Sequence, residues 1–552
     1  MFGRRTGRTG ARPSNRERAL IETLESRRLL STGSDVMLHS DAVFLHPSAT
    51  SSSVQGYTPS QIRHAYGFDQ ASFANGAVAG NGQGQTIAIV DAYNDPNVSS
   101  DLSVFDSQFG LSAAPSLRVV NQSGSGQLPT TDAGWAGEIA LDVEWAHAVA
   151  PQANILLVEA NSSTLTDLMA AVDYARHAAG VSVVSMSWGG SEFFSWNGSE
   201  FTGQTQYDPL FTTPAGHQGV TFVAASGDSG SFSGVQWPAS STNVLSVGGT
   251  SLNLQDTNGT YGGESSWSGS TGGFSQVEVE PSWQQGVQSS GARTTPDVAY
   301  NADPNTGFAV YDSVPEQGLS GWQVVGGTSA GAPQWAALVA TADQGRALAG
   351  RGTLDGATQT LPILYSLYSA PNTSGYSTYT SYFNDVIDTG GGGWRWRWGG
   401  FGSGNPAMPG YDTATGLGTP QAAQLLQVLA GNTTSSTGGP TTGGSSSGGS
   451  TTTQPAQLPA SPITGVIMTS PPTAVVDGDA GSLRLRLTNT GSTRFTGPIS
   501  ISLYASTDGS LSSGDTFITT VAIPKINLAA GGAKTLRVKF NYPSSISDGS
   551  YS

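Results

Sequence analysis

The feature that most constrains the fold is a series of short apolar runs that do not alternate with polar residues. Gln85–Ala92 (QTIAIVDA), Asn154–Ala160 (NILLVEA), Val181–Trp188 (VSVVSMSW), Gly219–Ser226 (GVTFVAAS) and Asn243–Gly249 (NVLSVGG) are all of this kind. A strand that is apolar on both faces is buried on both faces, the condition met in a parallel sheet covered by helices. Helical patterns lie among these runs, over Trp135–Ala150, Ser163–Ala179 and Gln334–Gln344. The alternation predicts a doubly wound α/β domain. In such a sheet the functional site lies beyond the carboxyl ends of the strands. Asp91, Trp188, Asp228 and Ser329 each follow an expected strand end.

At 552 residues the chain is too long for one core. Residues 1–56 read as a basic, disordered N-terminal or export segment, with eight Arg in the first 30 positions and a Leu24-Glu25-Ser26-Arg27-Arg28-Leu29-Leu30 stretch. That stretch resembles a signature near the start of large exported bacterial proteins. Residues 57–430 read as the α/β domain, and 431–456 as a Gly/Ser/Thr linker. Residues 457–552 alternate apolar and polar over Ser482–Asn489, Gly497–Tyr504 and Thr535–Phe540, which predicts a small antiparallel β-sandwich. The chain stops where a last strand is expected, so the sandwich reads as truncated.

Composition removes whole classes of function. The net charge is −16 with charged residues at 11%, which argues against nucleic acid as a partner and suits an exported protein. No cysteine is present, so disulfides, thiolate catalysis and Cys-ligated metals are excluded. No apolar run reaches membrane-spanning length.

Ser329 lies in Gly326-Gly327-Thr328-Ser329-Ala330-Gly331-Ala332-Pro333, between an apolar run and a helical one. A hydroxyl at a helix start lies near unpaired N–H donors, as a nucleophile needs. The plainer reading is a helix cap. A nucleophile requires a base, and none of the six His lies in a Gly-rich helix start. The helix Gly137–Ala150 (GEIALDVEWAHAVA) carries Glu138 and Asp142 four residues apart, hence on one face. Such a pair is ordinarily solvated. This helix is apolar nearly all round and therefore buried. Burial and like charge both raise a carboxyl pKa, so a shared proton is expected. Gly227-Asp228-Ser229-Gly230 reads as a turn, or as a protonated carboxyl that donates to an oxyanion.

The ordered set Glu138-x-x-x-Asp142, Ser226-Gly227-Asp228 and Gly327-Thr328-Ser329-Ala330-x-Ala332-Pro333 resembles the sedolisin family of serine-carboxyl peptidases. The resemblance covers Tyr57 to about Ala430. It implies a subtilisin-like fold and an acid-active endopeptidase acting on polypeptides. Ser329 matches the nucleophile, Glu138 the general base, Asp142 its orienting carboxylate and Asp228 the oxyanion donor. Ser187, Trp188 and Gly189 match the edge that binds the substrate backbone, and Asp91 matches a supporting acidic position. One Ca²⁺ ion is implied, held by the carboxylates of Asp385 and Asp412 and the carbonyls of Val386 and Gly410. Met408 stands where the family's calcium loop has Gly. The C-terminal turns resemble CARDB-type Ig-like modules of bacterial surface proteins, which implies an extracellular or cell-surface location and a surface partner. Family members usually carry a long folded prosegment, and only about 56 residues precede the domain here. Two rivals stand beside this reading: a surface adhesion protein whose peptidase-like domain only binds, and a subtilisin that uses His147. Trp394-Arg395-Trp396-Arg397-Trp398 has no family counterpart and reads as an exposed binding tongue or a hairpin edge.

Overall fold

The structure is a computed structural model that describes residues 36–45, 54–192, 194–196, 201–230, 233–316, 318–388, 406–432, 463–467, 480–489, 494–505 and 516–541. The Trp-rich stretch at 394–398, the first 35 residues and most of the linker lie outside these. The chain divides into two units, Met1–Ser436 and Thr437–Ser552, so the division falls inside the expected linker.

The described chain opens with two short strands, β1 (His39–Ser40) and β2 (Val43–Leu45), inside the segment expected to be disordered. This corrects that expectation for residues 36–45. The composition of 1–56 averages a basic tail with an apolar decapeptide, Val36–Leu45, whose Leu38 is buried.

The central sheet is built from β3 (Thr86–Ala92), β4 (Leu117–Asn121), β5 (Asn154–Ala160), β6 (Val181–Met186), β8 (Thr221–Ala225), β10 (Val244–Leu254), β11 (Tyr261–Ser266) and β12 (Val298–Asn301). Two further short strands, β7 (Trp188–Ser191) and β9 (Gln236–Trp237), lie outside it. The order across the sheet is β11-β10-β8-β6-β3-β5-β4, with β12 also beside β10. Every pairing is parallel except β10–β11. All five expected runs are strands of this sheet.

Side chains on successive strand residues point to opposite faces. Ile87 and Ile89 of β3 join one core, with Ile139 and Val143 of helix α2. Ala88 and Val90 join the other, with Leu168 and Val172 of helix α3. The longer helices are α1 (Val98–Phe109), α2 (Ala133–Val149), α3 (Leu165–His177), α4 (Gly331–Leu348) and α5 (Ala422–Leu429). Helices therefore cover both faces, as the apolar runs require. A hairpin of β13 (Phe308–Glu316) and β14 (Leu319–Gly326) runs into α4.

Helix α2 is capped by Asp132, whose Oδ1 accepts from Trp135 N at 3.1 Å. Every residue from Trp135 to Val149 is buried. Trp145 donates from Nε1 to the Ala309 carbonyl at 3.0 Å, and Trp335 of α4 to the Ala299 carbonyl at 3.0 Å. Burying an indole contributes about 4–6 kcal/mol of transfer free energy. These two anchors fix α2 and α4 against the sheet and its hairpin.

The second unit contains two antiparallel sheets. Ile463–Ile467, Ala480–Asn489 and Ala533–Asn541 form one, Phe495–Ala505 and Thr516–Leu528 the other. Leu485, Leu487, Ile526 and Leu528 are buried together. Among the described residues no helix is long and apolar enough to cross a membrane.

Candidate active site

Strand β14 ends at Gly326, and a single 3₁₀ turn, Thr328–Ala330, leads into α4. Gly327 has φ +98°, which favours glycine. A Cβ at Gly327 would stand 2.1 Å from the Asp41 carbonyl oxygen and 2.5 Å from Asp228 Oδ2. The Gly before Thr328-Ser329 is thus required by backbone conformation and by crowding.

Ser329 is fully buried, and its Oγ donates to Glu138 Oε2 at 3.1 Å. Its Oγ also lies 3.3 Å from the Ser187 carbonyl. Asp142, one turn further along α2, accepts from Ser187 Oγ at 2.8 Å through Oδ1. Glu138 Oε1 and Asp142 Oδ2 are buried without a protein partner. Burial raises both carboxyl pKa values well above the ordinary range, and the charges of neighbouring carboxylates raise them further. A proton shared within this group satisfies oxygens that otherwise lack donors.

Asp91, at the end of β3, is fully buried with neither carboxyl oxygen partnered. Burial pushes its pKa up to about 7. It is the neighbouring charge that acts most strongly on both Glu138 and Asp142. Asp228 follows β8. Its Oδ1 accepts from Thr328 N at 2.8 Å and from Thr328 Oγ1 at 2.7 Å, while Oδ2 is buried and unpartnered. Burial pushes its pKa up to about 7 against the lowering effect of the two Thr328 bonds. An acid in that range is neutral, and a donor, in mildly acidic solution.

The N-terminal segment lies across this group. Strand β1 pairs antiparallel with β7, His39 opposite Gly189 and Ser40 opposite Trp188. Asp41 N donates to the Ser187 carbonyl at 3.3 Å. Ser40 Oγ donates to Glu138 Oε2, the oxygen that also faces Ser329. Beyond Asp41, strand β2 pairs antiparallel with β14, Val43 opposite Gly326. The Phe44 ring packs on Gly137, where a Cβ would meet it at 2.6 Å. An extended peptide therefore passes over Ser329 from one edge to the other. Ser187, Trp188 and Gly189 form the first edge through their backbone. The Trp188 indole belongs to the core, with Nε1 donating to the Val90 carbonyl at 2.7 Å.

Sequence reasoning missed Ser40, Asp41 and the Thr328 contacts to Asp228. The signal for the first two was the apolar Val36–Leu45 stretch within a polar tail. His147 is buried on the same helix as Glu138, and its Nε2 faces the Ser112 carbonyl at 2.9 Å and Asp106 Oδ1 at 3.1 Å. Its ring serves a structural contact rather than Ser329.

The residues expected to hold calcium come together elsewhere. Gly410 N donates to Asp385 Oδ1 and Oδ2 at 3.0 and 2.8 Å, and Tyr376 hydroxyl also donates to Asp385. Asp412 accepts from Met408 N, Ala414 N and Thr415 N, each at 2.8 Å. Met408 is not among the residues with positive φ, so its side chain is accommodated where Gly was expected. Val386 is buried beside Ala407 and Ala414. Two carboxylates joined through one carbonyl-bearing loop fit a hard cation in kind. Among the described residues no group of three or more His, Asp or Glu side chains is arranged for a metal, so backbone oxygens would have to complete the shell.

Residues 130–353 match the family model described as the Subtilase family. Kumamolisin from Bacillus sp. (strain MN-32) is 34% identical over 402 residues, 68% of this chain and 63% of that protein. Sedolisin from Pseudomonas sp. (strain 101) is 29% identical over 280 residues, 46% of each chain. The chain thus spans less than two thirds of the length of these relatives. A solved structure of Pseudomonas sedolisin, a serine-carboxyl proteinase complexed with two molecules of pseudo-iodotyrostatin, aligns with a TM-score of 0.53 at 27% identity. That alignment covers 69% of this chain and 99% of the other. The match, the shared fold and the Glu138–Asp142–Ser329 geometry agree: the first unit of this chain is similar in sequence and fold to the sedolisin and kumamolisin peptidases.

Proposed function

We propose that the chain is a secreted serine-carboxyl endopeptidase that hydrolyses polypeptides in acid. The observation that carries this is the Ser329 Oγ to Glu138 Oε2 hydrogen bond of 3.1 Å on a buried helix, with Asp142 one turn away. Ser329 attacks a peptide carbonyl while Glu138 takes its proton, and Asp142 holds Glu138 in place. The oxyanion forms beside Asp228 Oδ2, which donates in its neutral form. Glu138 returns the proton to the departing amine, and water hydrolyses the ester. The backbone of Ser187–Gly189 holds the substrate as an added strand.

The active form needs Asp228 protonated and the Glu138–Asp142 pair able to accept a proton, which favours acidic solution. A single Ca²⁺ held by Asp385, Asp412 and the carbonyls of Val386 and Gly410 would tie the 385 and 412 segments together, a structural role. The export motif and the acidic composition support an extracellular location. The two antiparallel sheets of the second unit support reading it as an Ig-like CARDB-type β-sandwich, for which we propose a cell-surface partner.

That second unit also favours the other reading, a surface adhesion protein with a non-proteolytic domain. Casein degradation at about pH 4, compared between wild type and Ser329→Ala, separates the two. The peptidase reading expects loss of degradation in the variant, and equal behaviour of both proteins would favour adhesion.

A further inference from the structure

The segment over Ser329 is more than a cover, because the cleft treats one of its side chains selectively. The Asp41 main chain is set as an acyl donor: its N–H is held by the Ser187 carbonyl at 3.3 Å, and its own carbonyl oxygen shares with Asp228 Oδ2 the space beside Gly327. The Asp41–Ala42 peptide bond therefore lies beside Gly327 and the oxyanion donor, at the turn that carries Ser329. The Asp41 side chain is buried, and its Oδ2 has no partner. That oxygen lies 3.4 Å from the point where a Gly189 Cβ would stand, and Gln236 Oε1 lies 2.8 Å from the same point. Gln236 Oε1 is likewise buried and unpartnered. On its other side the Gln236 amide packs on Gly227, whose Cβ would meet it at 2.4–2.6 Å. Two glycines and one amide thus bound a pocket that holds a carboxyl group.

Both partnerless acceptors border the space beside Gly189. A neutral carboxylic acid donates to an amide oxygen and accepts from an amide N–H, so it complements Gln236 in either amide orientation. An ionised carboxylate loses the donor. The titratable groups that act on Asp41 are Asp228, after β8, and Glu138, on α2, and both are acidic. The walls contributed by β7 and β9, Gly189 and Gln236, carry no charge, and His39 on β1 is exposed. Burial and these two carboxylates hold the Asp41 pKa well above the ordinary range.

Resting on the peptidase reading, we infer that this cleft selects an acidic residue, in its neutral form, immediately before the scissile bond, that Gln236 is the residue that reads it, and that the chain's own Asp41–Ala42 bond is such a substrate. In the cut, Ser329 Oγ bonds to the Asp41 carbonyl carbon and its proton passes to Glu138. The C–N bond to Ala42 then breaks as that proton goes to the Ala42 nitrogen. Water hydrolyses the ester, leaving Asp41 as a new C-terminus and Ala42 as a new N-terminus.

The test has two arms. In the first, peptides spanning Met37–Leu45 carry Asp, Asn, Leu or Lys at position 41 and are offered to the full chain at about pH 4. Asp and Asn peptides are expected to exceed Leu and Lys in kcat/KM by about tenfold or more, because a site built to hydrogen-bond a side chain rejects one that cannot. Gln236→Leu, checked for an unchanged unfolding transition, should collapse the Asp-to-Leu ratio toward one. Raising the pH through neutrality should erode the Asp peptide relative to the Asn peptide. In the second arm, the full chain is held at the same acidity and its mass is followed. A new N-terminus at Ala42, absent in Ser329→Ala, is expected. An Asp-to-Leu ratio near one in wild type, or a cut at another bond of the segment, overturns this inference and leaves the peptidase reading standing. Failure to cut any peptide, with wild type and Ser329→Ala alike, overturns both.

Discussion

Asp228 offers the sharpest test of the chemistry, because Asn copies the neutral form of Asp and Ala does not. Asp228 Oδ1 already accepts two bonds from Thr328, at 2.8 and 2.7 Å, so an Asn there keeps its oxygen in the same place. Its NH₂ then occupies the position of Oδ2 and points, as a permanent donor, at the space beside Gly327. Asp228→Ala removes an oxyanion donor, which costs about 10²–10³ in kcat, or about 2.7–4 kcal/mol. It also strands the Thr328 donors at a cost of about 1–3 kcal/mol in stability. Asp228→Asn should stay within about tenfold of wild type near pH 4, since one neutral donor replaces another. The pH dependence separates them further. The wild-type carboxyl, pushed up to about 7, ionises above that pH and stops donating, so its share of kcat falls about tenfold per unit. Asp228→Asn has no such limb. The assay is kcat against pH from about 3 to 9 on one peptide. An Asn variant as impaired as the Ala variant at pH 4, or one with the wild-type alkaline limb intact, would refute the donor role.

Folding stability should fall as pH rises. Asp91 and Asp228 carry folded pKa values of about 7 against 3.8 unfolded, so between those pH values the folded chain holds protons that the unfolded chain has released. Each group then lowers stability by up to about 1.4 kcal/mol per pH unit, and thermal unfolding should shift downward from pH 4 to pH 7. A melting temperature that rises over this window contradicts the assignment. His147→Ala should keep peptidase activity while losing about 1–3 kcal/mol in urea unfolding, because its ring nitrogen serves Ser112 and Asp106. Loss of kcat without loss of stability would instead restore His147 as a base. Chelation should lower the melting temperature by roughly 5–10 °C if Asp385 and Asp412 hold calcium. Asp412→Ala should abolish that response, and a chelator effect equal in both proteins would place the ion elsewhere.

Much of the site was legible because burial could be read from pattern. The five apolar runs are parallel strands because a strand without a polar face has no solvent side. Glu138 and Asp142 stood out because the helix around them has no polar face either, so their exposure could not be the default. The Asp228 turn was less legible, since Gly-Asp-Ser-Gly serves a loop equally well. Only the Thr328 contacts and the partnerless Oδ2 distinguish the two uses. The segment at 36–45 left a single trace in the sequence, the apolar character of Val36–Leu45 within a polar tail. Its pairing with β7 and β14 is made by main-chain groups, which any sequence supplies. Gln236 was hidden for a related reason, as its neighbours Gly189 and Gly227 define a pocket by the side chains they lack.

Strand β7 lies between β1 and β9, the middle of a three-stranded sheet. Without β1 it becomes a free margin with unspent N–H and C=O groups. Such margins accept any extended chain and invite pairing between copies. The tether of Trp188 to Val90 keeps this margin from folding away when it is bare. The vacated cleft is thus a standing template for association, whose first competitor is the segment of the molecule that has just departed from it.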